Sequence, residues 1–327
     1  MTKSKYGRSP SQLAWARFRR KNSSMLAAIF ILILLLVGIF APVFSPDPTE
    51  KANRMSLEAA SLAPLSNVLF LKIPTSKSQS NIIDILFTGK EQNYRWQAIQ
   101  SYQLLNDTLE ITLFNSGDLV EKLPVVKHFE SGFNPDKHIQ GFTYWLGSDT
   151  YGRDMLSRLI WGARISMAVG LIAVAISVIL GLLVGSLAGF YGGRVDDFLS
   201  WIINVTWSIP TLLLVISISM ALGKGIWQVF IAVGFTMWVE VARVVRGQIF
   251  QIREIEYVKA GIAMGFRNSR IILRHIIPAV TGPLIVIAAA NFSTAILLEA
   301  GLSFLGIGVQ PPTPSWGFMI NSHMNYL

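Results

Sequence analysis

EYVKAGIAMGFRNSRIILRHIIP, residues 256–278, sets Lys259, Arg267, Arg270 and Arg274 between two of the most apolar stretches of the chain, with Gly265 and Pro278 as punctuation. Read as helix from Glu254 to Met264, it places Ile255, Val258 and Ile262 at i, i+3 and i+7 on one face, with Tyr257, Gly261 and Met264 beside or across from it. Gly265 suits the residue after a helix end, because glycine alone takes positive φ without steric cost. Asn268 or Ser269 then caps a second short helix, RIILRHII, which ends as Pro278 opens the next apolar run. The expectation is helix, glycine corner, helix, lying at a membrane surface. Two roles fit such a segment. One is an amphipathic helix resting on anionic lipid; the other is a docking element whose apolar ridge fits a groove of another protein.

The composition places the segment in a membrane protein. The 327 residues are 52% hydrophobic and 14% charged, against about 25% charged in soluble domains. The net charge of +9 does not read as nucleic-acid binding, because its position says otherwise. Seven basic residues, Lys3, Lys5, Arg8, Arg17, Arg19, Arg20 and Lys21, precede residue 25 with no carboxylate among them, and a second basic group lies at 243–274. Both flank apolar spans, where the positive-inside bias puts them. Cysteine is absent, which excludes disulfides, thiolate metal sites and cysteine nucleophiles. The first apolar run, MLAAIFILILLLVGIFAPVF (25–44), exceeds a signal-peptide core of about 7–15 residues and lacks a small-x-small cleavage site, so it reads as a retained anchor.

Five segments reach the ~20 apolar residues that a spanning helix needs: 25–44, 165–190, 198–222, 226–245 and 279–304. With the basic N-terminus (1–24) in the cytoplasm, 45–164 and GKG (223–225) fall outside, as does PPTPSW (311–316), while GGRVDD (192–197) and 246–278 fall inside. The outside loop 45–145 differs from the rest. From Ser66 to Phe129 it shows strand patterning in NVLFLKI, RWQAIQSYQLL, TLEITLF and LVEKLPVVKHF, with Asn106-Asp107 as a hairpin turn. A small β-rich insert follows from this, docking a partner or covering a mouth.

Gly181, Gly185 and Gly189 lie four residues apart on one helix face, a spacing that lets backbones approach closely in lipid. Pro210 inside the third span implies a kink. His128, His138, His275 and His323 lack metal-ligand spacing, and Asp149, Arg153 and Asp154 read as a structured turn. Glu299 lies roughly 30 Å beyond Pro278 along a helix rising about 1.5 Å per residue. There, near the outer face, water lowers the cost of the carboxylate, and a structural hydrogen-bonding role fits it better than substrate contact. No Gly-x4-Gly-Lys-Ser/Thr pattern occurs, so no ATP site or other cofactor is expected on this chain.

The opening segment resembles the "EAA" loop of ABC-importer permeases. Lys259-Ala260-Gly261 stands at Glu-Ala-Ala, Gly265 at the motif glycine, and His275-Ile276-Ile277-Pro278 at the closing Ile-x-Leu-Pro. Lys259, Gly261 and His275 depart from that pattern. LGSDTYGRDMLSRLIWGARISM (146–167), GFYGGRVDD (189–197), SIPTLLL (208–214), VEVARVVRGQ (239–248) and LLEAGLSFLGIGVQPPTPSWG (297–317) resemble the oligopeptide/dipeptide (nickel) subfamily, in its second, C-type subunit. The likeness covers about 12–44 and 146–324 and leaves the β-rich insert unmatched.

The resemblance implies an all-α polytopic membrane protein with the type I ABC-importer permease fold, carrying a small β-rich extracytoplasmic insert. It implies a permease domain over 146–327 with a cytoplasmic coupling loop at 246–278. Its implied partners are a second permease subunit in a heterodimer, two cytoplasmic ATP-binding subunits, an extracytoplasmic substrate-binding protein and the lipid bilayer. Tyr257, Ala260, Gly261 and Gly265 would form the docking ridge and corner that couple ATP hydrolysis to the pore, in a bacterial inner membrane. Charge assigns Arg267, Arg270 and Arg274 to holding the second helix at the membrane surface. The family carries a sixth span and a cytoplasmic tail, so a further ~30–40 residues are expected beyond Leu327, enough for a span of about 20 and its flanks. Peptides are the default substrate. A membrane-anchored sensor reading ligands through the insert would need an output domain, and an ion-coupled carrier would need more intramembrane charge than Glu240, Arg243 and Glu299 supply.

Overall fold

The computed structural model describes residues 15–324 except 17, 76–84, 86–88, 91–93, 106, 118, 130, 131 and 224. Lys3, Lys5, Arg8 and Arg17 of the basic N-terminus, and Asn106 of the expected turn, lie outside the described residues. Residues 1–164 form one compact unit and 165–327 a second.

In the first unit, α1 (Asn22–Ile39) is apolar on all sides and long enough to cross a bilayer. Gly38 lets its last turn meet the backbone of Arg164, since an added Cβ would lie 3.2 Å from that Cα. A five-stranded antiparallel sheet follows, with β1 (Ser66–Pro74), β2 (Tyr94–Leu105), β3 (Thr108–Leu113), β4 (Val120–Pro124) and β5 (Ile139–Tyr144) in the order β4-β3-β2-β1-β5. Leu105 pairs with Thr108, so two residues close the β2–β3 hairpin. The sheet extends past the expected limit at Phe129, because β5 returns to pair with β1 along Ser66–Leu71. LVEKLPVVKHF is not one strand. Pro124 ends β4, and Val125–His128 turns into a short helix.

Both sheet faces are covered, which explains the blurred alternation along β1. Phe70, Ala98 and Tyr144 pack with Ala59 on one face, while Leu71, Ile99, Leu109 and Ile111 pack with Phe129 on the other. Arg54, almost fully buried, lies 3.8 Å over Phe142, 4.7 Å over Trp96 and 5.1 Å over Phe70, so its guanidinium is held by ring faces. The segment 147–154 is a structured turn. Asp149 accepts from the backbone N–H groups of Tyr151 and Arg153 and from Arg153 Nε at 2.8 Å. Next to it, burial raises the carboxyl pKa of Asp154 above the usual carboxylate range.

The unit boundary falls within α2 (Met155–Tyr191), whose 37 residues are about 55 Å long at 1.5 Å each. The second unit continues with α3 (Gly193–Ser208), α4 (Thr211–Leu222), α5 (Ile226–Arg253), α6 (Glu256–Ala263), α7 (Asn268–Phe304) and α8 (Trp316–His323). Four helices, α1, α2, α5 and α7, are each long and apolar enough to cross a membrane, and α3 with α4 makes a fifth candidate bent by 93°. Pro210 is therefore not inside a helix. Its missing N–H and fixed φ end α3 at Ser208 and start α4 at Thr211, a full break instead of a kink.

α5 is the most enclosed of these helices, with fourteen buried residues between Gln228 and Ile252. Val229, Val233 and Met237 pack with Val169, Val215, Ala295 and Leu302 in one cluster. Along α2, a Cβ on Gly181 would sit 2.4 Å from Val241 Cβ, on Gly185 2.6 Å from the Ala242 carbonyl oxygen, and on Gly189 2.8 Å from that of Arg246. The three glycines thus set the α2–α5 separation directly.

Glu299 is fully buried, and water does not reach it as the sequence suggested. Its carboxylate accepts from Ser166 Oγ at 3.1 Å and Ser303 Oγ at 2.7 Å. Ser303 Oγ in turn accepts from the backbone N–H of Val309 at 3.1 Å. This network fastens α7 to α2 and to the turn that follows α7.

Candidate functional site: a helix and glycine corner between two spans

α5 stops at Arg253, where Glu254 and Ile255 turn the chain and α6 begins. Lys259 Nζ lies 2.9 Å from Glu254 Oε2, and this partner holds the exposed Glu254 carboxyl below its ordinary pKa. Glu256 in the first turn opposes the positive end of the helix dipole.

α6 is eight residues long and two-faced. Val258 and Gly261 point inward, and Val258 joins a cluster with Val245, Ile249, Ile252, Ile271 and Ile276. Ile255, Tyr257, Ile262 and Met264 are exposed, Met264 at 66%. Two expectations change here. Gly261 does not belong to an exposed ridge, since it is buried under Phe266 and Ile271. Ile255 and Ile262 flank Val258 but stay exposed, because the inward arc is narrow and only Val258 and Gly261 meet the core.

Gly265 has φ +77°. Its N–H donates to the Ile262 carbonyl at 2.9 Å, and the Phe266 N–H donates to the Gly261 carbonyl at 3.1 Å. This pair of bonds is the Schellman arrangement, and it satisfies the last carbonyls of α6. The chain then restarts at Asn268 with Arg267 at the N-cap and no side-chain cap bond, so neither Asn268 nor Ser269 caps it.

The second short helix does not end at Pro278. It runs into the span as a single α7, passing the proline through a π turn at Ile272–Ile276. The Ile277 N–H reaches the Ile272 carbonyl, and the wider turn makes room for the proline ring that follows. Arg267, Arg270 and Arg274 are exposed along this start, as is Pro278. Ala260 is also exposed, beside Tyr257.

Two tethers join this corner to its neighbours, and sequence reasoning missed both. Arg246 on α5 makes a bidentate ion pair with Asp196 on α3. Arg253 Nη1 donates to the Phe190 carbonyl at the end of α2 at 2.9 Å. The partners are fifty or more residues apart, so no local pattern announces them.

Residues 181–327 match the family described as binding-protein-dependent transport system inner membrane component. Residues 9–64 match the N-terminal TM domain of oligopeptide transport permease C. The glutathione transport system permease protein GsiD of Escherichia coli O6:K15:H31 (strain 536 / UPEC) is 30% identical over 96% of this chain and 78% of its own length. The chain belongs to the oligopeptide/dipeptide ABC permeases, of the C type. The oligopeptide transport system permease protein OppC of Bacillus subtilis (strain 168) is 41% identical over 54% of this chain, and the dipeptide transport system permease protein DppC of that organism is 42% identical over 54%. This permease spans 58% and 56% of the length of those two relatives. The two family matches leave 65–180 between them, and all five strands lie there. It is a multi-pass inner-membrane protein.

Proposed function

We propose that this permease is one membrane subunit of an ATP-driven importer of short peptides. It forms half of the translocation pathway with a second permease subunit and receives its substrate from an extracytoplasmic binding protein. ATP is hydrolysed by two cytoplasmic subunits, and α6 carries their movement into the spans. The N-terminus (1–24) and 246–278 lie in the cytoplasm, and 45–145 with its sheet lies outside.

The observation that carries the reading is the two-sided build of α6. An isolated eight-residue helix is too short to hold itself together in water. Here Val258 and the Schellman corner fix it to α5 and α7, while Tyr257, Ala260 and Met264, spaced i, i+3 and i+7, remain outside as an apolar ridge. A ridge presented on a rigid mount suits a groove in another protein. Gly261 and Gly265 serve by shaping the mount, and Pro278 by continuing it into the span. The peptide class is supported by the names of the relatives, which are permeases for oligopeptides, dipeptides and glutathione.

The test is affinity purification of the full chain from its native membrane in mild detergent, with mass spectrometry of what accompanies it. ATP-binding subunits and a second permease are expected, and Gly265→Pro should lose the ATP-binding subunits while keeping the second permease. Recovery of the chain alone, or equal recovery of ATP-binding subunits with Gly265→Pro, would overturn the coupling role.

A further inference from the structure

We infer that the first two turns of α7 form a binding site for the headgroup of an anionic phospholipid. Arg267 at the N-cap, Arg270 in the first turn and Arg274 in the π turn are gathered at the helix start. Together with Phe266, Ser269 and Leu273 they line a concavity of about 530 Å³. Among the described residues no ion pair engages any of the three arginines, whereas the neighbouring Lys259 and Arg253 both face Glu254. The sequence carries no Asp or Glu from 257 to 298, so nothing on this stretch neutralises them. Arg270 is stacked 4.7 Å over the Phe266 ring, which orients its guanidinium without consuming its N–H donors.

Guanidinium groups pair with phosphate oxygens through two parallel N–H donors, and three around one concavity can surround a phosphodiester. The Ser269 hydroxyl adds a further donor. The apolar lining selects lipid over a free anion. Leu273 is 64% exposed between Arg270 and Arg274, and α7 continues from it straight into an apolar span. A phosphate held by the arginines would therefore have its acyl chains beside hydrocarbon-compatible surface. An acidic protein surface would leave Leu273 against polar groups, and no residue of α6 lines the concavity.

Each basic side chain near an anionic membrane favours contact by about fivefold, so three together give about a hundredfold. The inference rests on α7 being a membrane span. It does not rest on α6 coupling to an ATPase, so either reading can fail alone.

The test is native mass spectrometry of the full chain released from detergent with equimolar phosphatidylglycerol and phosphatidylcholine. Wild-type protein should retain phosphatidylglycerol with at least tenfold preference. The triple variant Arg267→Gln/Arg270→Gln/Arg274→Gln, whose altered side chains are all exposed, should lose that preference with an unchanged melting temperature. Equal retention of the two lipids by wild type would overturn the site, and so would a triple variant that keeps the preference. Complete displacement of phosphatidylglycerol by inorganic phosphate at about 10 mM, tenfold above a Kd of about 1 mM, would reassign the arginines to a free anion and overturn the lipid reading.

Discussion

Asp196 and Arg246 face each other across α3 and α5 with two nitrogen–oxygen contacts of 2.5 and 2.6 Å, and Ser200 Oγ donates to the same carboxylate at 3.0 Å. The pair is partly buried, Asp196 more than Arg246. It pins the first turn of α3 to the last third of α5, immediately before the chain turns into α6.

Removing one partner should cost more than the pair contributes, because the other is left half-desolvated. Asp196→Asn and Arg246→Gln are each expected to destabilise by about 1–3 kcal/mol, with a coupling energy of about 1–2 kcal/mol in the double-mutant cycle. Thermal unfolding of the four proteins in one detergent measures it. Additive single effects would mean that the contact is surface decoration.

Gly261 and Gly265 lie four residues apart and should respond oppositely to alanine. A Cβ on Gly261 would meet Phe266 at 3.6 Å and Ile271 at 4.0 Å, which is ordinary contact, and its φ is helical. Gly261→Ala should therefore be neutral or stabilising by up to about 1 kcal/mol, the difference in helix propensity. A Cβ on Gly265 would touch nothing within 4 Å, yet its φ of +77° disfavours any other side chain. Gly265→Ala should cost about 1–2 kcal/mol in that corner. Hydrogen exchange over 256–266 reads both, with faster exchange in Gly265→Ala alone. Equal exchange in the two variants would refute the left-handed corner.

Glu299 separates hydrogen bonding from charge. Glutamine can still accept from one serine hydroxyl and donate to the other, so Glu299→Gln should stay within about 1 kcal/mol of wild type. Glu299→Leu would strand Ser166 and Ser303, both fully buried, and should cost about 2–4 kcal/mol. Melting temperatures of the two variants decide it. A leucine variant as stable as glutamine would show that the network is dispensable.

What was legible in the sequence followed local chemistry. Apolar length located the four helices long enough to span, though not the 93° bend between α3 and α4, and the glycine after EYVKAGIAM marked the corner, because positive φ is a property of one residue. Alternation located four of the five strands. β5 was missed because IQGFTY carries a glycine and little alternation, and only pairing with β1 makes it a strand. Pro210 and Pro278 show the limit most clearly. Both are prolines in apolar surroundings, yet one breaks its helix and the other is carried through by a π turn. Tertiary packing decides between those outcomes, and no window around either residue contains it. The same holds for Asp196 with Arg246 and for the inward turn of Gly261.

The absence of cysteine makes membrane orientation directly measurable, since each introduced thiol is unique. Two exposed positions serve, Leu119 at 62% and Met264 at 66%. If the N-terminus is inside, as proposed, α1 leads out, the sheet is outside and α2 returns. If the bent α3–α4 pair crosses as one span, α5 leads back in and Met264 is cytoplasmic. If that pair enters and leaves on one side, Met264 is external. The basic charge at Arg267, Arg270 and Arg274 favours the crossing arrangement. A membrane-impermeant maleimide on intact spheroplasts should therefore label Leu119→Cys and spare Met264→Cys, with the pattern reversed in inside-out vesicles. Labelling of both from outside would make α3–α4 re-entrant, and it would remove α6 from reach of any cytoplasmic ATPase.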